Sequence, residues 1–270
     1  MKPLALWSRR LDDLEELLEG AGFRRLVEAA ARVILKPNLI DGAPYPVTSD
    51  AGFVFRVAEY VRQVSPRAEI VVAEGCGAPG VETHRLYRKL GYTGPARRMG
   101  IRLVDLNEEP CRRLQRAEAA FLREIHLPEI VFEGLLVSLP VLKAHSMAQV
   151  TLALKNMVGL LPPSRYSLSG HWRKSFIHRQ LDRGIAELNL HRRPDFSVLD
   201  AREGMAEAHL WGPRCRPAPG VIAAGEDPVA VDALGAGLLG LDWRRVGHIR
   251  WADGPLGRAA DGEVALRELG

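Results

Sequence analysis

Seven short apolar runs rich in Val, Ile and Leu recur along the chain, separated by longer stretches of mixed character. They are PLALW from residue 3, RVILKPNL from 32, EIVVAEG from 69, IRLVDL from 101, GLLVSLPVL from 134, FSVLDA from 196 and GVIAAGE from 220. Runs of this length, continuous rather than alternating, are expected of strands buried on both faces, as in a parallel sheet covered by helices. Between them, residues 10–30, 50–64, 84–91, 147–158, 177–189 and 227–240 carry apolar positions at helical spacing. Asp50 is placed to cap the second of these helices, and Asp227 followed by Pro228 gives the last a cap and a first-turn proline. Alternating strands and helices predict an α/β protein with a largely parallel, doubly wound sheet flanked by helices. The core is expected to be single or divided into two closely packed lobes, and residues 1–270 are read as one domain. Segment 211–220, rich in Pro and Gly, is expected to be a long surface loop.

In open parallel sheets, ligands bind beyond the carboxyl ends of the strands, so polar residues that directly follow an apolar run are the ones to inspect. Lys36, Pro37 and Asn38 follow RVIL, Glu74 and Gly75 follow IVVA, Lys143 and His145 close the run from 134, and Asp200 closes FSVL. The stretch 139–172 is the densest. It sets Lys143 and His145 at a strand end, Thr151 and Lys155 one helical turn apart on the predicted 147–158 helix, Asn156 beside them, and His171 after a Pro-rich loop. Lysines and histidines around a short helix suit an anion held at its N-terminus or a metal held by imidazole. The same residues are equally compatible with solvated amines and locally hydrogen-bonded imidazoles. His84 opens the 84–91 helix and is a candidate to reach the cleft, although an exposed histidine is the more common outcome.

Composition narrows the classes of function. Three cysteines, Cys76, Cys111 and Cys215, show no C-x-x-C spacing, so neither an iron–sulfur cluster nor a disulfide framework is expected. The formal charge is +4, with both signs interspersed and aromatic residues only 6% of the chain, which disfavours a nucleic-acid platform. The N-terminus has no signal-peptide core and no stretch is long enough to span a bilayer, so a cytoplasmic protein without a membrane partner is expected. Neither a G-x-S-x-G elbow nor an H-E-x-x-H helix occurs. The glycines after Glu74 do not follow dinucleotide or P-loop spacing.

The order ILKPNL, VAEG, LPVLKAH with VTLALKNMVG, His171, VLDA and AAGEDPVAVDALGAGLLG resembles the domain of unknown function 362 family across nearly the whole chain. Many members of that family carry an added cluster-binding segment, which this sequence lacks. A second, local resemblance concerns His145, Lys155 and His171, spaced by ten and then sixteen residues, with Gly159 and Pro162 after the lysine. This layout is similar to the catalytic segment of the lactate racemase family that uses a nickel-pincer nucleotide. The resemblance implies His145 as a general acid/base, Lys155 as a covalent anchor of the cofactor, His171 as a metal ligand, and His84 as a second acid/base. Two departures stand against it: Lys36, Pro37 and Asn38 replace the Asp and Arg of that family, and TLAL replaces its Gly-rich run.

The expected function is an enzyme, racemase-like or redox-associated, whose cleft takes a small anionic substrate or a phosphorylated cofactor, with a divalent metal at His145 or His171 as an optional helper. Catalysis is assigned to His145, Lys155 and His84. Ligand binding is assigned to Lys36, Asn38, Glu74, Lys143, Thr151, Asn156 and Asp200. The rival expectation is a non-catalytic accessory protein that carries a cofactor or metal in the same cleft. A homo-oligomer is left open.

Overall fold

The computed structural model describes residues 5–168, 173–259 and 266–269. Its strands are β1 (Ala5–Ser8), β2 (Arg32–Pro37), β3 (Glu69–Glu74), β4 (Arg102–Asp105), β5 (Cys111–Gln115), β6 (Glu124–Pro128), β7 (Leu135–Leu139), β8 (Val141–His145), β9 (Gln149–Thr151), β10 (Phe196–Met205), β11 (Val221–Gly225) and β12 (Leu266–Glu268). Its α-helices are α1 (Leu14–Gly20), α2 (Phe23–Glu28), α3 (Ala51–Val64), α4 (Thr83–Lys89), α5 (Thr93–Met99), α6 (Ala153–Asn156), α7 (Pro163–Tyr166), α8 (Leu181–His191), α9 (Pro228–Leu238) and α10 (Gly247–Ala252).

The main sheet runs β12-β1-β11-β10-β7-β2-β3-β4. Strands β10, β7, β2, β3 and β4 pair in parallel, and β11 joins them antiparallel to both β10 and β1. This is the largely parallel α/β sheet expected from the apolar runs. Successive strand residues point to opposite faces. Val33, Leu35, Ile70, Val72, Val137, Val198 and Ile222 pack under α1 to α5 on one face. Ile34, Val71, Ala73, Leu136, Leu199, Ala201 and Ala223 pack under α6, α8, α9 and α10 on the other. Both faces are thus covered, which is why the runs read as continuous rather than alternating.

The predicted caps form: Asp50 accepts a hydrogen bond from Gly52 N (3.0 Å), and Asp227 accepts from Val229 N (2.9 Å) and Ala230 N (3.2 Å). Several boundaries differ from the sequence reading. The 10–30 helix breaks at Gly22, whose φ of +89° ends one helix and starts the next. The 134–142 run is two strands, because Pro140 cannot donate to a ladder; β10 pairs β7 before this point and β8 after it. The 177–189 helix starts in a 3-10 turn over Ser175–Gln180. A second helix, α5, follows the 84–91 segment, and the hairpin of β5 and β6 lies outside the main sheet.

The correction that matters most concerns residues 147–158, which are not one helix. The chain turns at Gln149 (φ +64°), pairs Thr151 with Lys143 across the β8–β9 hairpin, and only then enters the single turn of α6 and a 3-10 turn over Met157–Leu160. Thr151 and Lys155 therefore reach the site from a strand and a helix, not from one helical face. Val150 and Thr151 are β-branched and favour the extended conformation. Asp232, fully buried on α9, anchors the helical turn by accepting from Ala153 N (2.7 Å) and Leu154 N (3.1 Å). Among the described residues, no helix is long and apolar enough to cross a membrane.

Candidate functional site

A cavity of about 630 Å³ opens where β2, β3, β8 and β10 end, walled by α6, the turn after it and the loop 207–213. Of the residues expected at the site, Asn38, Glu74, His145, Thr151, Lys155 and Asn156 line it. Lys36 and Lys143 stand behind them, fully buried. Arg173, Lys174, His178 and His209 also line it, and none of these was singled out in the sequence.

Behind the cavity wall, the polar groups are closely interlocked. Lys36 Nζ forms an ion pair with Glu74 Oε2 and donates to Asn156 Oδ1 (3.3 Å). Asn156 also accepts from Asn38 Nδ2 (3.1 Å), while its own Nδ2 donates to Lys36 O (3.1 Å) and Ser138 Oγ (3.0 Å). Lys143 Nζ donates to Asn38 Oδ1 and to Val47 O (2.7 Å). Lys174 Nζ donates to Gly75 O (2.6 Å) and Gly159 O (2.7 Å). Two glycines admit this density. A Cβ on Gly75 would stand 2.5 Å from Gly159 O and 2.7 Å from Lys174 Nζ, and one on Gly159 would stand 2.6 Å from Lys36 Nζ.

Lys155 differs from the other three lysines. Its side chain is open in part to the cavity, and among the described residues it has no hydrogen-bonding or ion-pairing partner. The chain has six lysines in all, Lys2, Lys36, Lys89, Lys143, Lys155 and Lys174, against 37 lysines and arginines together. Four of the six therefore meet around one cavity, while arginine supplies nearly all the remaining positive charge.

Burial sets the protonation of this cluster. It lowers Lys143 to about 7, assisted by the charge of Lys155, and lowers Lys155 itself to about 8. It lowers Lys174 to about 7, against the pull of Glu74. Within the buried pair, burial pushes the Lys36 ammonium down and the Glu74 carboxyl up, each opposed by the other's charge.

The imidazoles are held neutral. His145 Nδ1 accepts from the backbone amides of Met147 and Ala148, both at 3.1 Å. That lone pair is thereby occupied, so the single proton of the ring sits on Nε2, and burial with the nearby Lys155 charge lowers the group to about 2. His145 is thus a neutral N–H donor at the cavity wall. His209 stacks on it with ring centroids 4.1 Å apart and is lowered to about 3, again by burial first. His178 is lowered by burial and by Lys155. Thr151 Oγ1 is buried and has no hydrogen-bond partner among the described residues.

Three expected site residues are placed elsewhere or lie outside the structure described. Asp200 sits inside β10 away from the cavity, with both oxygens engaged by Arg202 and one also by Tyr45 OH (3.0 Å). It buttresses the sheet rather than a ligand. His84 is exposed on α4, its ring edge against Tyr87, and does not line the cavity. His171 lies outside the described residues. No cluster of three or more His, Cys, Asp or Glu side chains suited to a metal occurs among the described residues. A metal at His145 would have to displace the Nε2 proton, since Nδ1 is engaged by the two amides. Among the described residues, Lys155 is free to meet a ligand.

Fold and site together define an α/β protein with a lysine-rich ligand cavity at the carboxyl edge of its parallel strands. The chain belongs to the family described as domain of unknown function DUF362, whose family model matches residues 33–237. Among solved structures, it is similar to the lactate racemase apoprotein from Thermoanaerobacterium thermosaccharolyticum, at 11% identity and a TM-score of 0.54. That match covers 88% of this chain and 57% of the other, a likeness of fold. A structural-genomics protein from Thermotoga maritima aligns at 14% identity over 74% of this chain and 53% of its own length, with a TM-score of 0.39. The chain thus spans a little over half the length of the solved structures it matches. No curated protein of similar sequence was found.

Proposed function

We propose that the protein is an enzyme that binds a small carboxylate or phosphate in this cavity. The reading rests on the convergence of four of the chain's six lysines on one cavity whose buried carboxylate, Glu74, is already paired with Lys36. Glu207 stands exposed on the rim. Like charges brought together out of water are unfavourable by themselves, and an anion between Lys155 and Lys174, with Lys143 behind, relieves that cost. His145 Nε2–H and Thr151 Oγ1 are uncharged donors on the same wall, suited to the remaining polar atoms of the ligand. His145 acts in this reading as a fixed donor rather than as a proton acceptor.

Sulfate, whose charge does not change with pH near neutrality, tests the proposal. Sulfate at matched ionic strength raises the melting temperature of the wild type above its value in chloride. Lys155→Met should fold, because Lys155 has no partner to lose among the described residues, and should show a much smaller sulfate shift. Equal melting temperatures of the wild type in both salts would refute an anion site. The accessory-protein reading is favoured instead if the protein, purified without chelators, retains a cofactor or metal that His145→Ala does not release.

A further inference from the structure

The choice between lysine and arginine carries information. Arginine holds its proton at any accessible pH, whereas lysine surrenders it when desolvated and then offers a nucleophilic lone pair. This chain uses arginine over most of its length and concentrates lysine at the cavity. Charge alone does not call for that choice, because a guanidinium is the better bidentate partner for carboxylate or phosphate.

The four cavity lysines are not equivalent. Lys36, Lys143 and Lys174 spend their N–H groups on Glu74, Asn156, Asn38 and the carbonyls of Val47, Gly75 and Gly159. Lys155 alone among them has no partner among the described residues, and its side chain reaches the open cavity. Around it stand two uncharged donors: His145, whose proton is fixed on Nε2 by the amides at Nδ1, and Thr151, whose buried Oγ1 has no partner among the described residues. An amine free to attack, flanked by cations and facing neutral donors, matches a ligand that combines an anionic group with a carbonyl.

We infer that Lys155 is a nucleophile that condenses with the carbonyl carbon of a small carboxylate- or phosphate-bearing aldehyde or ketone to form an imine. The inference rests on the anion-site reading above. The Nζ lone pair attacks the carbonyl carbon and the π pair moves to oxygen, where His145 Nε2–H and Thr151 Oγ1–H donate to the growing charge. The new ammonium gives a proton to that oxygen, leaving a neutral carbinolamine. The nitrogen pair then expels the hydroxyl, which takes one proton from the Lys174 ammonium and leaves as water. A C=N double bond has formed in place of the C=O double bond, whose oxygen has left as water; the positive charge has passed from Lys174 to the protonated imine. No electron transfer is involved. The depressed proton affinity of Lys155 supplies neutral amine near neutral pH, and that of Lys174 makes it a ready donor.

Borohydride trapping tests this, with pyruvate as the charged probe and acetone as the uncharged one. Wild-type protein incubated with pyruvate and reduced should gain, in intact mass, one pyruvate less one oxygen atom, and peptide mapping should place it on Lys155. Acetone should label that residue at least tenfold less, and excess sulfate should slow pyruvate labelling. Lys155→Arg keeps the charge without the nucleophile, so its sulfate-induced thermal shift should persist in part while the adduct disappears. Lys155→Met should lose both, with circular dichroism showing that each variant folds. Absence of a Lys155 adduct in wild type that still responds to sulfate overturns the imine and leaves the anion site standing. No adduct and no sulfate response overturn both readings. Labelling of Lys89 as fast as Lys155 also overturns the inference, since it reports surface amine chemistry only.

Discussion

At the scale of single residues, the site is governed by desolvated charge. Lys36 and Glu74 are both buried and depend on each other, so removing either one leaves an uncompensated charge. The three other lysines set the pH response. Each has a folded-state proton affinity depressed below that of an exposed lysine, to about 7 for Lys143, 8 for Lys155 and 7 for Lys174. A depressed group contributes stability that is fully present above the unfolded value and lost as pH falls through the folded one. For these lysines, the free protein therefore loses stability progressively as pH falls from the ordinary lysine value to about 8 and 7, the range in which the unfolded chain takes up protons that the buried amines do not. A bound anion reverses the sign, because it favours the protonated amines. Sulfate stabilisation should consequently be largest near pH 6 and largely gone by pH 9. At pH 8, calorimetry in buffers of different ionisation enthalpy should show proton uptake on binding. A shift independent of pH, or proton release, would contradict the assignment of these lysines to the anion.

At the scale of elements, the functional turn is an inserted one. A helix of four residues has little intrinsic stability, and α6 is held by Asp232 at its N-terminus, where the carboxyl accepts from two buried amides. Asn189 adds a bond from its Nδ2 to Leu154 O (3.0 Å). Asp232→Ala removes both acceptors and should lower unfolding free energy by at least about 2 kcal/mol, from the lost cap and two unpaired amides. It should also weaken sulfate binding, because α6 carries Lys155 and Asn156. Asp232→Asn keeps one acceptor and should fall between. Chemical denaturation with and without sulfate checks both effects; an Ala variant as stable as wild type would show that α6 does not need this anchor.

The same elements show what was legible in the sequence. Strands buried on both faces announce themselves by unbroken Val, Ile and Leu, so β2, β3, β7 and β11 fall inside the predicted runs. β5 and β6 do not, because CRRLQ and EIHLP put charge on exposed positions and pack only one side. Residues 147–158 have the spacing of a helix in QVTLALKN without forming one, because pairing of Thr151 with Lys143 overrides it locally. Asn38, Glu74 and His145 were legible as candidates because they end or follow such runs, and Lys155 because it lies in the dense 139–172 stretch; all four line the cavity. Lys174, His178 and His209 were not, since they enter from irregular segments whose approach to the cavity only the assembled sheet determines. Asp200 ended a run as well, yet Arg202, two residues on along β10, takes its carboxylate away from any ligand.

At the scale of the molecule, the segregation of its cations is the distinguishing feature. Surface ion pairs such as Arg24 with Glu19 and Arg113 with Glu124 use guanidinium, and Lys89 is an exposed amine on α4. The cavity amines are graded in access. Lys36, Lys143 and Lys174 are buried and hydrogen-bonded, whereas Lys155 keeps surface open to the cavity and has no partner among the described residues. Among the described lysines, reductive methylation of the native protein should therefore modify Lys89 first and Lys155 next. Lys36 and Lys143, which stand behind the cavity wall, should react only at the rate of unfolding, because reagent must reach a neutral, exposed amine. Sulfate should slow Lys155 by at least severalfold and leave Lys89 unchanged, as read by mass spectrometry of peptides over time. Reaction of Lys36 or Lys143 alongside Lys155 would mean that the wall behind the cavity opens in the native state, and that the interlocked network of Asn38, Asn156 and Glu74 does not hold it shut.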